Sequence, residues 1–204
     1  VFTNVPLLLR VDGPGLLFAS VASVLWIATT LYAIGYMRGL HEHAQTRFYS
    51  FFALSLCATM GVAFSPNLLT IYFFYEMLSV STFPLVTHMQ DKEARTGGRT
   101  YLGYLLFTSL CLLLPALSWC YVWLEGGQVA MVFMGDDGKV GAFGSTTQII
   151  LLLLFTFGFA KAGIMPFHSW LPGAMVAPTP VSALLHAVAV VKVGVFCLYR
   201  VYAD

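Results

Sequence analysis

The sequence predicts an all-α membrane protein, a bundle of about six transmembrane helices with one broken helix. Hydrophobic residues make up 59% of its 204 residues and charged residues only 9%, whereas soluble domains carry about 25% charged residues. Six apolar windows have roughly the 20-residue length that crosses a bilayer as helix. One of these windows is interrupted by glycine and proline. A single transmembrane domain over 1–204 therefore accounts for the chain.

The predicted spans, in chain order, are 14–37, 48–65, 68–88, 101–124, 148–174 and 180–202, with an outer loop over 125–147. The fifth span is longer than one crossing needs and contains Gly163 and Pro166. Proline removes a backbone donor and clashes with the preceding turn, and freed backbone groups at membrane depth must be buried in protein or line a cavity. We therefore expect this span to break beside a polar interior. The Asp137–Gly138 pair leaves open whether the outer loop forms a hairpin.

Basic residues in the short loops predict the orientation. The segments 38–47 and 89–100 hold five of the ten lysines and arginines, and an excess of positive charge marks the cytoplasmic side. Both segments are therefore expected in the cytoplasm, with the chain in a bacterial inner membrane. His41, His43 and His88 lie in or beside these segments and are expected to be solvated.

Several function classes are excluded by composition and motif. A net charge of +1 lacks the basic stripe that nucleic acid binding needs. The four cysteines are scattered singly, and the sequence has no zinc-protease, calcium-loop, P-loop or dinucleotide fingerprint. We therefore expect no metal, no cofactor and no catalytic residue in this chain, which leaves open a place in a larger oxidoreductase.

Three charged residues lie near the middle of predicted spans: Glu76, Lys161 and Lys192. Each such charge costs roughly 2.5 to 3.5 kcal/mol even on a lenient scale, so it persists where it pairs, meets water or performs work. His186 lies six residues before Lys192, about 9 Å along a helix axis. We expect these groups to share a hydrated, protein-enclosed interior and to translocate protons or other cations.

Each candidate residue also has a simpler interpretation. Glu76 and Lys161 form either a coupled pair, in which the carboxylate controls the proton on the lysine, or a structural ion pair that fixes helix packing. His186 is either a proton relay or a packing residue. Lys192 lies too deep to extend its amine to the membrane surface easily. His168, after the break, either lines the cavity or caps freed carbonyls. The aromatic run IYFFYE before Met77 is interpreted as ordinary membrane packing.

Longer motifs carry a resemblance to a known family. The run AKAGIMPFHSWLPGAMVAPTPVSALLHAVAVVKVGV, from Ala160 to Val195, resembles the signature of the antiporter-like membrane subunits of respiratory complex I, Mrp-type sodium/proton antiporters and membrane-bound hydrogenases. FFYEMLSVSTFPLV around Glu76 is similar to the segment of the family's membrane glutamate, and the resemblance covers about residues 10 to 202. VVKVG around Lys192 is more similar to the Mrp D-type or hydrogenase-type subunits.

The resemblance implies a fold and a set of roles. Family subunits have about fourteen helices with two inverted repeats, each containing a broken helix. This chain resembles the third to eighth helices, the first repeat, and its start at Val1 instead of Met agrees with a piece of a longer subunit. The resemblance makes Glu76 and Lys161 the charge pair, His186 a relay residue and Lys192 the link to the second half-channel.

The implied partners are other membrane subunits, the lipid bilayer and H⁺, with Na⁺ left open as a coupled ion. Since the outlet lies in the second repeat of family members, this piece alone is not expected to complete transport. Three alternatives stay open: the membrane arm of an NADH:quinone oxidoreductase or hydrogenase, a relative coupled to inorganic-carbon uptake, and a structural scaffold.

Overall fold

A computed structural model describes residues 7–123, 145–184 and 189–203, and every regular element within them is helical. The α-helices are α1 (Gly13–Gly39), α2 (Gln45–Ala63), α3 (Leu68–Val86), α4 (Lys92–Thr108), α5 (Leu114–Trp123), α6 (Ser145–Gly158), α7 (Trp170–Gly173), α8 (Thr179–Ala183) and α9 (Val190–Ala203). A π-helical turn (Ser109–Leu113) joins α4 to α5, and three 3-10 turns (Ala160–Ala162, Phe167–Ser169 and Ala174–Val176) lie between α6 and α8. The all-α fold class is confirmed. The Asp137–Gly138 pair and His186 lie outside the described residues.

Side-chain caps begin three of the helices. The carboxylate of Asp12 accepts a hydrogen bond from the backbone N–H of Gly15 at 2.9 Å, and Asn67 caps α3 in the same way. Asp91 accepts from the N–H of Ala94 at 2.7 Å, so α4 starts at Lys92. Such caps satisfy donors that the first turn leaves without partners. Most of the segment 89–100, expected as a loop, is therefore the first part of a helix.

Three helical stretches in the described part of the chain are long and apolar enough to cross a membrane: Gly13–Gly39, Leu68–Val86 and Lys92–Val122. They correspond to the first, third and fourth predicted spans. Helix α2 has 19 residues and α6 has 14, and the crossing of the membrane by these two segments stays a prediction. On α1 many apolar side chains are exposed, as expected for a surface against lipid or further helices.

The fifth predicted span is broken. Helix α6 ends at Gly158, a 3-10 turn follows over Ala160–Ala162, and Gly163 has a φ of 75°. That left-handed conformation is open to glycine at little cost and strained for most other residues. The chain then continues in short turns instead of a second long helix, which agrees with the predicted interruption by Gly163 and Pro166.

Two further irregularities lie in the fourth and the last predicted spans. The π-turn Ser109–Leu113 ends two residues before Pro115, and a widened turn accommodates a proline that has no N–H to donate. In the last predicted span the N–H of Ala189 donates to the carbonyl of Leu184 at 2.8 Å, a five-residue spacing that is also π-like. This hydrogen bond therefore departs from the four-residue spacing of a regular α-helix.

The core is formed where α2, α3, α4 and α9 pack around the broken segment. Its largest fully buried side chains are mostly aromatic: Trp170, Tyr75, Tyr101, Phe48, Phe52, Phe155 and Phe159. One charged side chain, Lys161, lies among them with an exposed fraction of 0%. The break thus carries a lysine into the middle of an apolar core.

Candidate functional site

Lys161 is held by one residue of α3. Its amine Nζ donates a hydrogen bond to the backbone carbonyl of Tyr75 and lies 3.3 Å from the centroid of the Tyr75 ring. A carbonyl dipole and an aromatic face both attract an ammonium group. The charge of Lys161 is therefore stabilised by neutral groups that cannot themselves accept its proton at ordinary pH.

Tyr75 also supports the broken backbone. The N–H of Lys161 donates to the Tyr75 hydroxyl at 3.2 Å, and the Tyr75 ring packs edge-on against Phe159 with centroids 5.4 Å apart. The hydroxyl replaces a helical acceptor that the break removes. A single tyrosine thus fixes both the backbone and the amine of Lys161.

Trp170 is a second donor to the carbonyl of Ala160, which also accepts from the N–H of Gly163 at 2.9 Å. Its indole N–H donates to the carbonyl of Ala160 at 3.1 Å, and its ring packs edge-on against Tyr101. The Tyr101 hydroxyl is hydrogen-bonded to Thr82 at 2.7 Å. The break therefore obeys the rule that backbone groups at membrane depth need partners in the protein.

Helix α9 lies directly against the break at Gly194. A Cβ at this position would overlap the backbone of Lys161 and Ala162, so only glycine permits the observed approach. The turn that carries Lys161 is therefore enclosed between α3 and α9.

Glu76 follows Tyr75 in sequence but does not contact the lysine amine. No ion pair joins Glu76 to Lys161 among the described residues. Glu76 is half-buried, its Oε1 has no hydrogen-bond partner there, and it lines a mostly apolar cavity of about 660 Å³ with Tyr72 and Met77. The predicted charge pair thus stays a prediction. In the structure the lysine amine is bonded to Tyr75, the residue before Glu76.

Lys192 lies on α9 and is exposed. It lines a groove of about 710 Å³ between α1 and α9, where Phe18 and Phe196 stack at 4.5 Å. The three midspan charges therefore have different surroundings: Lys161 is buried, while Lys192 and Glu76 line separate cavities. The shared enclosed interior expected from the sequence is not formed by the described residues, because depth along a helix does not define which face a residue occupies.

The two histidine predictions have different outcomes. His168 lies in the turn Phe167–Ser169 and is partly buried, and its Nδ1 has no hydrogen-bond partner in the described part of the chain. The Ala160 carbonyl is bonded by Trp170, so this carbonyl does not need a cap from His168. The role of His168 stays a prediction, and His186 lies outside the described residues.

Two uncharged residues that shape this site, Tyr75 and Trp170, were not identified from the sequence. Tyr75 lies in the aromatic run IYFFYE that was interpreted as membrane packing, and Trp170 follows the break in the motif HSWLP. A polar-tipped aromatic beside a midspan glutamate or just after a proline is the signal that points to them, because such a residue tends to find a hydrogen-bond partner when buried.

A second buried cation lies at the end of α9. The Arg200 guanidinium forms an ion pair with the carboxylate of Asp12 and donates to the carbonyl of Ser65 at 3.1 Å. The side chains of Arg200 and Asp12 are 3% and 18% exposed. From the sequence, Arg200 lies near the end of the last predicted span. In the structure it connects the start of α1 and the end of α2 to α9.

The loop histidines also differ from expectation. His88 is 1% exposed and stacks on His43 with ring centroids 4.9 Å apart. Burial, with the nearby His43 and Arg47, lowers the pKa of His88. The possible ligand atoms of Glu42, His43 and His88 lie within 4.8 Å of one another, so this cluster has the residue types of a divalent metal site. The expectation that His88 is solvated is wrong, because the loops pack against each other.

The fold and the site define a class: a helical integral membrane protein with a lysine buried at a broken helix. Residues 65–204 match the family described as NADH:quinone oxidoreductase/Mrp antiporter, transmembrane. The chain belongs to this family, which confirms the resemblance found in the sequence. The predicted description as an antiporter-like and complex I-like membrane protein is also confirmed.

Similar proteins extend this result. The chain is 33% identical over 192 residues to a protein of Staphylococcus saprophyticus named as antiporter subunit mnhA2, and 33% identical over 193 residues to its namesake in Staphylococcus aureus. In each case the similarity covers 94% of this chain and 24% of the relative. The chain thus spans about a quarter of the length of these relatives. Their names do not indicate a D-type subunit, so that subdivision stays a prediction.

Solved structures agree with the fold. A chain of the Mrp complex from Dietzia sp. DQ12-45-1b superposes with a TM-score of 0.67 at 25% identity, over 76% of this chain and 17% of that one. A chain of an archaeal membrane-bound sulfane sulfur reductase superposes with a TM-score of 0.80 at 20% identity, over 97% of this chain and 30% of that one. This chain therefore shares its fold with chains of both complexes.

Proposed function

We propose that this chain is part of a proton-translocating subunit and that Lys161 carries the proton. The observation that carries this proposal is a fully buried amine at a helix break, with no carboxylate in an ion pair with it among the described residues. A charge at such depth costs roughly 2.5 to 3.5 kcal/mol. Because no ion pair among the described residues offsets this cost, a role of Lys161 in transport is favoured over a purely structural role.

The surroundings of Lys161 suggest how its proton is released. Burial favours the neutral amine, whereas a nearby negative charge favours the ammonium. Glu76 is the residue after Tyr75, which holds the amine, and its Oε1 has no partner in the described part of the chain. We infer that a change in the charge or position of Glu76 alters the proton occupancy of Lys161. A carboxylate without a fixed partner suits such a switch better than one locked in an ion pair.

The remaining residues are proposed as the path beyond Lys161. His186 acts as a relay, Lys192 passes the charge onward, and His168 contributes a partly buried imidazole near the break. The groove that contains Lys192 is then completed by helices outside this chain, since the relatives are about four times as long. Other membrane subunits are the proposed partners, Na⁺ stays open as a coupled ion, and segments 38–47 and 89–100 face the cytoplasm of a bacterial inner membrane.

A second candidate function is the membrane arm of an NADH:quinone oxidoreductase. The family description, which names this enzyme beside the Mrp antiporter, is the observation that favours it. Proton transport through Lys161 would then be driven by a redox reaction in other subunits. Purification of the assembled complex separates the two candidates, because flavin and iron–sulfur absorbance accompanies only the oxidoreductase.

The central test is Lys161→Met in the full-length subunit, with proton uptake measured in vesicles. Methionine keeps the length of the side chain and removes the proton carrier, so we expect the initial rate to fall at least about tenfold. Lys92→Met, at an exposed position of α4, is the matched control and should keep its rate. Normal transport by a normally assembled Lys161→Met protein would refute the role of this residue.

A further inference from the structure

Three arginines surround a polar cavity at the ends of α2, α3 and α4. The cavity measures about 440 Å³ and is lined by Arg47, Arg95 and Arg99, together with Thr87 and Gln90. No acidic residue from the described part of the chain lines it. The cavity is distinct from those of Glu76 and Lys192, so it lies outside the proposed proton path.

The positive charge of this cavity is not neutralised within the described residues. Arg95 and Arg99 are both exposed on α4 and form no ion pair there. They are four residues apart, so they share one face of the helix, where like charges repel. Asp91, at the start of this helix, uses its carboxylate as the cap for Ala94. A bound anion would therefore offset the repulsion between Arg95 and Arg99, which no described carboxylate neutralises.

Arg47 is already oriented toward the same cavity. Its guanidinium donates to the carbonyl of His88 at 3.5 Å. With the amide of Gln90 turned to satisfy both partners, the Gln90 oxygen accepts from Nη1 of Arg47 at 2.8 Å and from Nη2 at 3.3 Å. The turn after α3 thus fixes one guanidinium before any ligand arrives, which lowers the entropic cost of binding.

We propose that this cavity binds a phosphate group, carried either by an anionic phospholipid or by free phosphate. Guanidinium groups match phosphate oxygens through paired, charge-assisted hydrogen bonds. Phe83 and Pro84 form an apolar side of the same cavity, so a lipid tail has a surface to lie against. The hydroxyl of Thr87 already donates to the carbonyl of Phe83 at 3.0 Å, and the arginines supply the recognition.

The test uses the full-length subunit purified in detergent and stripped of lipid. Binding of short-chain phosphatidylglycerol, short-chain phosphatidylcholine and inorganic phosphate is measured by titration. We expect phosphatidylglycerol to bind wild type at least about tenfold more tightly than phosphatidylcholine, since each nearby arginine contributes about fivefold. The double variant Arg95→Gln/Arg99→Gln should lose at least about tenfold in affinity.

The matched control is Arg38→Gln/Lys92→Gln. It removes two exposed positive charges from the same two predicted cytoplasmic segments, and neither residue lines the arginine cavity. This control should keep the affinity of wild type within about twofold. The single variants Arg95→Gln and Arg99→Gln, each expected to lose about fivefold, carry the same test if the double variant assembles poorly.

The results distinguish the source of the phosphate. Binding of phosphatidylglycerol that inorganic phosphate does not displace identifies a lipid site, whereas displacement at similar concentration identifies a site for free phosphate. Equal losses in the cavity variant and in the control would overturn the proposal, because general surface charge would then explain the binding. The proposal also fails if wild type neither prefers phosphatidylglycerol to phosphatidylcholine nor binds inorganic phosphate.

Discussion

The chain buries two cations in opposite ways. Arg200 has an ion pair with Asp12 and a hydrogen bond to the Ser65 carbonyl, whereas the Lys161 amine has the carbonyl and ring of Tyr75. An arginine keeps its proton in proteins and suits a permanent ion pair, whereas a lysine can lose its proton when buried. The comparison agrees with the proposal that Lys161 serves transport, whereas the ion pair of Arg200 with Asp12 connects α9 to the start of α1.

The largest expected effect is the loss of stability when Arg200 is replaced. Arg200→Met leaves the partly buried Asp12 carboxylate without its partner and should lower the free energy of unfolding by about 3 kcal/mol, the lower end for breaking a buried ion pair. Lys161→Met removes a buried charge that has no carboxylate in contact, so the free energy of unfolding should fall by no more than about 1 kcal/mol. Denaturation of the full-length subunit in detergent measures both.

A control locates the origin of the loss at Arg200. Asp12→Asn keeps a side chain that can cap α1 but leaves the buried Arg200 guanidinium without its carboxylate partner, so it should destabilise about as much as Arg200→Met if the ion pair is the origin of the loss. If the two methionine variants lost equal stability, the distinction between a structural and a functional cation would be wrong.

A middle-sized effect is expected where α9 approaches the break. In Gly194→Ala the new Cβ would overlap the backbone of Lys161 and Ala162, and forced overpacking costs about 1 to 3 kcal/mol. Because the displaced turn carries Lys161, transport should fall together with stability. Gly103→Ala, which has open space at the Cβ position, is the matched control and should be neutral or slightly stabilising.

Much of the fold follows from one-dimensional patterns. Apolar length predicts the helices, and Gly163 with Pro166 predicts the break that carries Lys161. The start of α4 at Lys92 was missed because a polar stretch was interpreted as a loop, although Asp91 is a capping residue at the right position. The capping residue was thus visible in the sequence, but the low hydropathy of the segment led to the prediction of a loop.

The site was only partly predictable, for a geometric reason. The depth of Lys161, Lys192 and Glu76 can be counted along the chain, but the face that each occupies depends on how helices pack. The partners of Lys161 and Arg200, Tyr75 and Asp12, are far from them in sequence, and no short motif connects such residues. The surroundings of the Lys161 amine therefore become known only from the three-dimensional structure.

The smallest expected effect is the loss of stability when Trp170, beside the break, is replaced. Trp170→Phe keeps an aromatic ring against Tyr101 and removes the indole N–H that bonds the Ala160 carbonyl. The Ala160 carbonyl still accepts from the N–H of Gly163, so the loss of one hydrogen bond should cost about 1 kcal/mol of unfolding free energy. Because Tyr75 still holds the Lys161 amine, the initial rate of proton uptake should change less than in Gly194→Ala. Trp119→Phe, on α5, is the control. A transport defect in Trp170→Phe as large as in Lys161→Met would contradict this expectation and would mean that the indole itself positions the amine.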